Sequence, residues 1–229
     1  VTSDTILFAP SNDLVNEAAS ASITITGNLG ATDDWSLGAF SGTTGYPACV
    51  TFFEQRLVLA NTSTQPQTMF FSVSGDFEDF NAGTLDSSAL IYTIGSNQVN
   101  VIRYLTSSRA LLVGTSGGEF VVRASSDEPI SPTNTQILRQ ASYGSANIQP
   151  VAVANVVLFV QRAKRKLREL VYSFGSDSYY APDLTILSEH ITEGLITEMA
   201  LQQEPDNIVW CVLEDGKLIG MTYRREEEV

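Results

Sequence analysis

Groups able to do chemistry are concentrated at few places in this chain. Asp76, Glu78 and Asp79 lie within Ser74-Gly75-Asp76-Phe77-Glu78-Asp79-Phe80, and paired carboxylates can act as acid and base on a glycosidic bond. Here they follow a strand-like run and are interleaved with Phe77 and Phe80, which reads as a turn whose aromatic residues plug the edge of a sheet. His190 is the sole histidine, and no Cys, His and carboxylate grouping has the spacing of metal ligands, so neither a metal nor another cofactor is expected. Neither a Gly-rich phosphate loop nor a G-x-S-x-G nucleophile turn occurs. No catalytic residue is assigned. Cys49 and Cys211 are far apart in sequence, and Cys211 sits in an apolar run where a thiol acts as a small hydrophobe. A bridge would require the first and last parts of the fold to meet, and the two are read as free thiols.

The formal net charge is −13, and no Lys or Arg precedes Arg56 whereas Asp4, Asp13, Glu17, Asp33 and Asp34 do. That balance argues against a module that grips or reads DNA, because phosphates are neutralised by Lys and Arg. One run opposes the trend: Arg162, Lys164, Arg165, Lys166 and Arg168. Its plain reading is a solvated hairpin tip. Its sharper reading is a partner contact, for an acidic neighbour or a passing phosphate backbone. Apolar residues make up 43% and charged residues 17% of the chain, which suits a folded domain with a lightly charged surface. No apolar run reaches the length needed to span a bilayer, so no membrane partner is expected.

The elements that must position these groups follow a recurring phrase, about every fifty residues. A strand leads into a more apolar strand, then a polar turn, then a third strand rich in β-branched or aromatic residues. The copies are Val50–Phe53, Leu57–Ala60 and Thr68–Val73; Val99–Leu105, Ala110–Gly114 and Glu119–Val122; Val151–Ala154, Val156–Val160 and Leu167–Ser173; and Thr197–Leu201, Ile208–Val212 and Leu218–Tyr223. Such a period predicts an all-β fold, a β-propeller-like array of small antiparallel sheets with about four blades. The middle strands Leu57-Val58-Leu59, Ala110 to Val113 and Val156 to Val160 lack alternation, as expected where both faces of a sheet are covered. A two-layer β-sandwich is the competing architecture.

Residues 48–229 are assigned to the propeller-like domain and 1–47, polar and poor in core residues, to an entry segment or the end of a preceding domain. With Val1 at its start and Val229 just after a strand, the chain reads as a fragment of a longer protein. Ala89–Ile94 and Thr135–Gln140 are expected as outer strands, whereas Asp183 to Ile191 is ambiguous, fitting either an outer strand or a short helix capped by Asp183 with Leu184, Leu187 and Ile191 inward. Ser22 to Thr26 is the candidate to close the last sheet. Asp215-Gly216 and Gly117-Gly118 are expected to be tight hairpin turns with positive φ at both central residues.

An ordered series of phrases carries a family resemblance: Gly45-Tyr46-Pro47 with Val50-Thr51-Phe52-Phe53-Glu54-Gln55-Arg56-Leu57; Phe70 to Phe80; Phe159-Val160-Gln161-Arg162 through Arg168-Glu169-Leu170; Asp177-Ser178-Tyr179; Asp183-Leu184-Thr185; Glu189-His190-Ile191; and Gln203-Glu204-Pro205, Val209-Trp210, Asp215-Gly216 and Thr222-Tyr223. It resembles the tail nozzle proteins of short-tailed bacteriophages, also called tail tubular protein B, and related phage structural proteins, over residues 35–229. The resemblance implies a non-catalytic virion component, assembled in the bacterial cytoplasm: a ring of subunits below the portal-proximal adaptor that forms the distal conduit for DNA ejection and holds fibres or other tail proteins. DNA would pass without specific binding. The basic run departs from the plainer turn expected there, so no role is carried over to it. Rival readings are a propeller glycosidase or depolymerase using Asp76 with Glu78 or Asp79, and a glycan- or receptor-binding propeller face with Tyr179, Tyr180 and Trp210 at a rim.

Overall fold

The computed structural model describes residues 40–95, 100–125 and 128–223, together with two strands nearer the start. Those strands, β1 (Thr5–Phe8) and β2 (Ala21–Thr24), pair antiparallel with each other. The segment expected to close the last sheet therefore forms a separate hairpin, with Ile23 opposite Ile6; residues 25 and 26 of that segment lie outside the described residues.

The rest of the described chain is an all-β, propeller-like array of small antiparallel sheets, each made from consecutive strands. The first sheet is β3 (Cys49–Phe53), β4 (Arg56–Ala60), β5 (Thr68–Phe71) and β6 (Leu90–Thr93). The second is β7 (Ile102–Ser107), β8 (Leu111–Thr115), β9 (Gly118–Ala124) and β10 (Thr135–Ala141). The third is β11 (Val151–Val153), β12 (Val156–Val160), β13 (Leu167–Ser173) and β14 (Ser178–Tyr180). The fourth is β15 (Ile196–Gln202), β16 (Ile208–Leu213) and β17 (Leu218–Thr222). Among the described residues no sheet mixes strands from distant parts of the chain, which separates this architecture from a sandwich.

Alternate side chains of the middle strands β8 and β12 serve two different neighbours, which is why polar alternation is missing there, as expected. Leu111 and Val113 of β8 pack with Val58, Met69 and Phe71 of the first sheet. Leu112, between them, packs with Val157, Phe159 and Leu170 of the third. On β12 the same division holds: Val157 and Phe159 face the second sheet, Val156, Leu158 and Val160 the fourth, against Met199, Val209 and Cys211. In the last middle strand, β16, buried Val209, Cys211 and Leu213 alternate with more accessible Ile208, Trp210 and Val212. Period-two exposure returns where a sheet has a single packed face. At the other end of the array, Phe40 sits edge-on to Phe70 and Phe80 at centroid distances of 5.0 and 5.8 Å and covers part of the outer face of the first sheet.

The outer strand of the third sheet is Ser178–Tyr180, not the segment that follows it. Asp183 accepts the backbone N–H and hydroxyl of Thr185 in a side-chain turn, and only a short 3-10 helix, Ile191–Gly194, forms further on. Leu184 packs on the core as expected, but Leu187 is 94% exposed and Ile191 45%. The side-chain turn satisfies the backbone locally and competes with the first helical turn.

Hairpin chemistry also differs from expectation. Gly216 alone takes positive φ (+83°); its N–H bonds Leu213 O and the Lys217 carbonyl accepts from Leu213 N–H, the pattern of an ordinary turn closed by a glycine bulge. Neither Gly117 nor Gly118 has positive φ; there the Thr115 hydroxyl accepts both their N–H groups and donates to Gly118 O. Positive φ at both turn positions occurs instead at Glu54 (46°) and Gln55 (61°), between β3 and β4. These residues carry no turn signal; there Glu54 accepts Ile130 N–H and the Gln55 carbonyl accepts Gly75 N–H. No helix of the described residues is long and apolar enough to cross a membrane.

Candidate functional site

The second and third sheets meet along two strands whose inward residues are polar at both ends and apolar in the middle. On β9 the row is Glu119, Val121, Arg123, and on β13 it is Arg168, Leu170, Tyr172. Val121 and Leu170 join one apolar cluster, and the period of two in each strand turns their neighbours to the same interface. Two polar clusters result, at opposite ends of the seam.

The first cluster takes in part of the basic run. Arg168 is buried; its Nε donates to Gln161 Oε1 (2.9 Å), one Nη donates to Ala181 O (2.6 Å), and its guanidinium lies 3.6 Å from the centroid of the Tyr143 ring. Glu119, equally buried, accepts from the Ser145 hydroxyl at 3.0 Å and from Tyr143 N–H at 3.3 Å. Burial pushes the Glu119 carboxyl up from its ordinary range, opposed by those two hydrogen bonds and by the Arg168 charge. The Tyr104 phenol in the same interface is pushed far above its usual range by burial and by Glu119. Tyr104 fits there because Gly114 has no side chain: a Cβ at 114 would fall inside ring carbons of Tyr104.

The rest of the run is engaged within the chain. Lys166 pairs with Asp183 at 2.8 Å and Glu189 at 3.0 Å, Arg165 lies 3.7 Å from Glu193, and Arg162 donates to Ser116 O at 3.3 Å. Lys164 sits at φ +62° in the turn, and its carbonyl accepts Ile196 N–H from the fourth sheet. Burial would raise the Asp183 carboxyl, but Lys166 and Thr185 outweigh it and hold it below its usual range. Arg168 belongs to a strand, not to the tip. The five residues therefore divide between a buried interface and a hairpin where Arg165 and Lys166 meet local acids.

At the other end of the seam Arg123 forms a two-pronged pair with Asp177, at 3.2 and 3.1 Å, and Tyr172 donates its hydroxyl to the same carboxylate at 2.6 Å. These bonds hold Asp177 down at about 2, the Arg123 contribution first. Tyr172 and Tyr179 rings lie 5.3 Å apart, and the Arg109 guanidinium sits 5.5 Å over Tyr172. These groups line a cleft of about 580 Å³ whose far wall is Glu54, from the first sheet. Glu54 Oε2 accepts Ile130 N–H at 2.6 Å, while Arg56 Nη2 reaches Ile130 O at 3.5 Å. Both backbone polar groups of Ile130, in the β9–β10 connection, are thus held by the β3–β4 hairpin.

Asp76, Glu78 and Asp79 do not converge on a pocket. Asp76 accepts Glu78 N–H and Asp79 accepts Asn81 N–H, within a loop where Phe77 meets Phe52 at 5.1 Å. His190 is exposed and lines neither cluster. Tyr179, Tyr180 and Trp210 form no common rim: Tyr179 faces the cleft, Tyr180 is exposed on the alternate face, and Trp210 donates to Gln202 and packs on Gly220 in the fourth sheet. Cys49 and Cys211 are buried free thiols, each pushed up to about 11 by burial. Among the described residues no group of His, Cys, Asp and Glu could hold a metal ion.

The cleft was missed from sequence because its members come from turns and strand ends of separate sheets. A signal was present in the period-two rows Glu119-x-Val121-x-Arg123 and Arg168-x-Leu170-x-Tyr172, where ionisable groups flank an apolar strand centre. No family model matches the chain, and no curated protein matches it. Among solved structures, a luciferin-regenerating enzyme is similar at a TM-score of 0.31 and 10% identity, over 77% of this chain and 72% of that one, a likeness too slight to carry an argument about either fold or function.

Proposed function

We propose that this chain is a non-catalytic structural module of a bacteriophage tail, a wall element of a nozzle through which DNA leaves the particle. One observation carries the reading: residues in the phrases that resemble nozzle proteins hold the scaffold together. Arg56 donates to backbone carbonyls of Ser72, Asp86, Ser87, Ser88 and Ile130. Gln161 orients Arg168, Asp183 builds a turn and holds Lys166, and the Asp215-Gly216 turn joins β16 to β17. A sequence whose distinctive side chains tie its own strands and loops together suits a rigid wall.

In this reading the protein assembles as a ring in the full-length context, contacts the adaptor and fibres, and resides in the virion. The net charge of −13 keeps passing DNA from adhering, since a surface poor in cations releases few counterions from the duplex. Mass spectrometry and gold-labelled antibody microscopy on purified phage particles test it. The expected result is the chain at the distal end of the tail; its absence from purified particles refutes the proposal.

A further inference from the structure

The cleft at the Arg123 end of the seam has features that a scaffold does not need. Three sheets contribute to it: Glu54 from the first, Arg109, Arg123 and Gln136 from the second, Tyr172 and Asp177 from the third. Its volume of about 580 Å³ falls within the range of small-ligand clefts. Asp177 is already bonded by Arg123 and Tyr172 and forms the base of the cleft. Around it stand groups with unused hydrogen-bonding capacity. Arg109 touches the Tyr172 ring but carries no ion pair among the described residues, and Glu128, also on the wall, carries none either. Both are exposed, as is the Gln136 amide.

The chemistry of this wall selects one ligand class. Three carboxylates, Glu54, Glu128 and Asp177, outnumber two guanidinium groups, which disfavours phosphate or any polyanion. The lining is polar, which disfavours an apolar ligand. What remains is a ligand that offers many donors and acceptors together and little net charge. Hydroxyl groups do this: each can donate to a carboxylate while accepting from a guanidinium or amide. We propose that the cleft binds a saccharide unit, its hydroxyls held between Arg109 on one side and Glu128 and Gln136 on the other, above the Arg123–Asp177–Tyr172 base. The proposal goes beyond the scaffold reading and stands without it.

Saturation-transfer NMR on the 229-residue chain tests this, with D-glucose, D-galactose, D-mannose, N-acetyl-D-glucosamine and D-glucuronate as probes and inorganic phosphate as competitor. The expected result is saturation transfer to at least one neutral sugar, undisturbed by phosphate. Arg109→Ala and Glu128→Ala should each weaken binding by roughly fivefold or more, since each removes hydrogen bonds to a charged group. Both positions are exposed, so the variants keep the fold, which their melting temperatures verify. The proposal is overturned if no probe gives more transfer with the parent chain than with the Arg109→Ala/Glu128→Ala double variant, or if phosphate displaces the sugar.

Discussion

Removing the Arg56 guanidinium should loosen the first sheet from its own long loop and from the second sheet. Arg56 opens β4, is 2% exposed, and donates to Ser72 O (2.8 Å), Ser88 O (2.7 Å), Ser87 O (3.3 Å), Asp86 O (2.6 Å) and Ile130 O (3.5 Å). Burial lowers its pKa and the nearby Glu54 charge opposes that. Arg56→Met keeps the length of the side chain and removes every donor. The Ser72 and Ile130 bonds are buried, the others half-buried, so water can replace the guanidinium at Asp86, Ser87 and Ser88 but not at the first two. Each stranded buried carbonyl costs about 1–3 kcal/mol, and relief of the buried charge returns part of that. The net loss should be about 3–5 kcal/mol, the cost usual for breaking one side of a buried charged contact. For a domain of this size that is a fall in Tm of roughly 6–20 °C. Arg56→Lys should recover part of it, because a single ammonium offers three donors from one point and cannot span the fork. Thermal melts followed by circular dichroism give the magnitude, and hydrogen exchange at Ser88, Ala89 and Ile130 localises it. A Met variant that melts within about 2 °C of the parent, with unchanged exchange, refutes the clamp.

Gly114→Ala should destabilise by about 1–3 kcal/mol, because the new methyl overlaps the Tyr104 ring in a packed interface; adding Tyr104→Leu should recover much of the loss in a double-mutant cycle of urea melts. Glu119 holds its proton more tightly folded than unfolded, so its ionisation costs stability. That cost is absent below the unfolded value of about 4 and grows as pH rises through the raised folded value, so Glu119→Gln should flatten this part of a stability–pH profile. Asp177 has the opposite sign: held at about 2 when folded, it contributes stability above about 4 that is lost as pH falls toward 2. Asp177→Asn should remove that acid-side loss from the same urea-melt series. Cys49 and Cys211, buried and pushed up to about 11, should resist alkylation by iodoacetamide at neutral pH and react fully in denaturant, as read by mass spectrometry.

The repeat and the sheet composition were legible because each sheet is built from neighbouring strands, so local hydrophobic runs report directly on the architecture. Leu167–Ser173 was placed to the residue, and Val156–Val160 likewise. Errors gathered where one side chain competes with the backbone. Asp183 forms a side-chain turn instead of capping a helix, and Thr115 organises a turn that the glycine pair had been expected to govern. At Glu54-Gln55 the reverse holds: no turn residue is present, yet both take positive φ. The bond from Ile130 N–H to Glu54 lies 76 residues away, and a contact of that span leaves no trace in local pattern.

A strand boundary also divides the basic run. In sequence Arg162, Lys164, Arg165, Lys166 and Arg168 form one charged block, but β13 begins at Leu167, so Arg168 turns inward on the strand's period of two while its predecessors stay on the turn. Inside, it lies between Tyr143 and Gln161 and stabilises ionised Glu119 across the seam. A strand boundary two residues later would have left Arg168 in solvent and Glu119 buried without a nearby cation, a costly arrangement. The position of Glu119, second in β9, and of Arg168, second in β13, makes the pair a register marker between successive sheets. Exchanging the two, Glu119→Arg with Arg168→Glu, keeps both charges at the seam but not their backbone partners, because Tyr143 N–H can only donate and Ala181 O can only accept. The swapped variant should therefore be less stable than the parent in urea melts. Equal stability would mean that charge alone, without the surrounding hydrogen bonds, sets the seam.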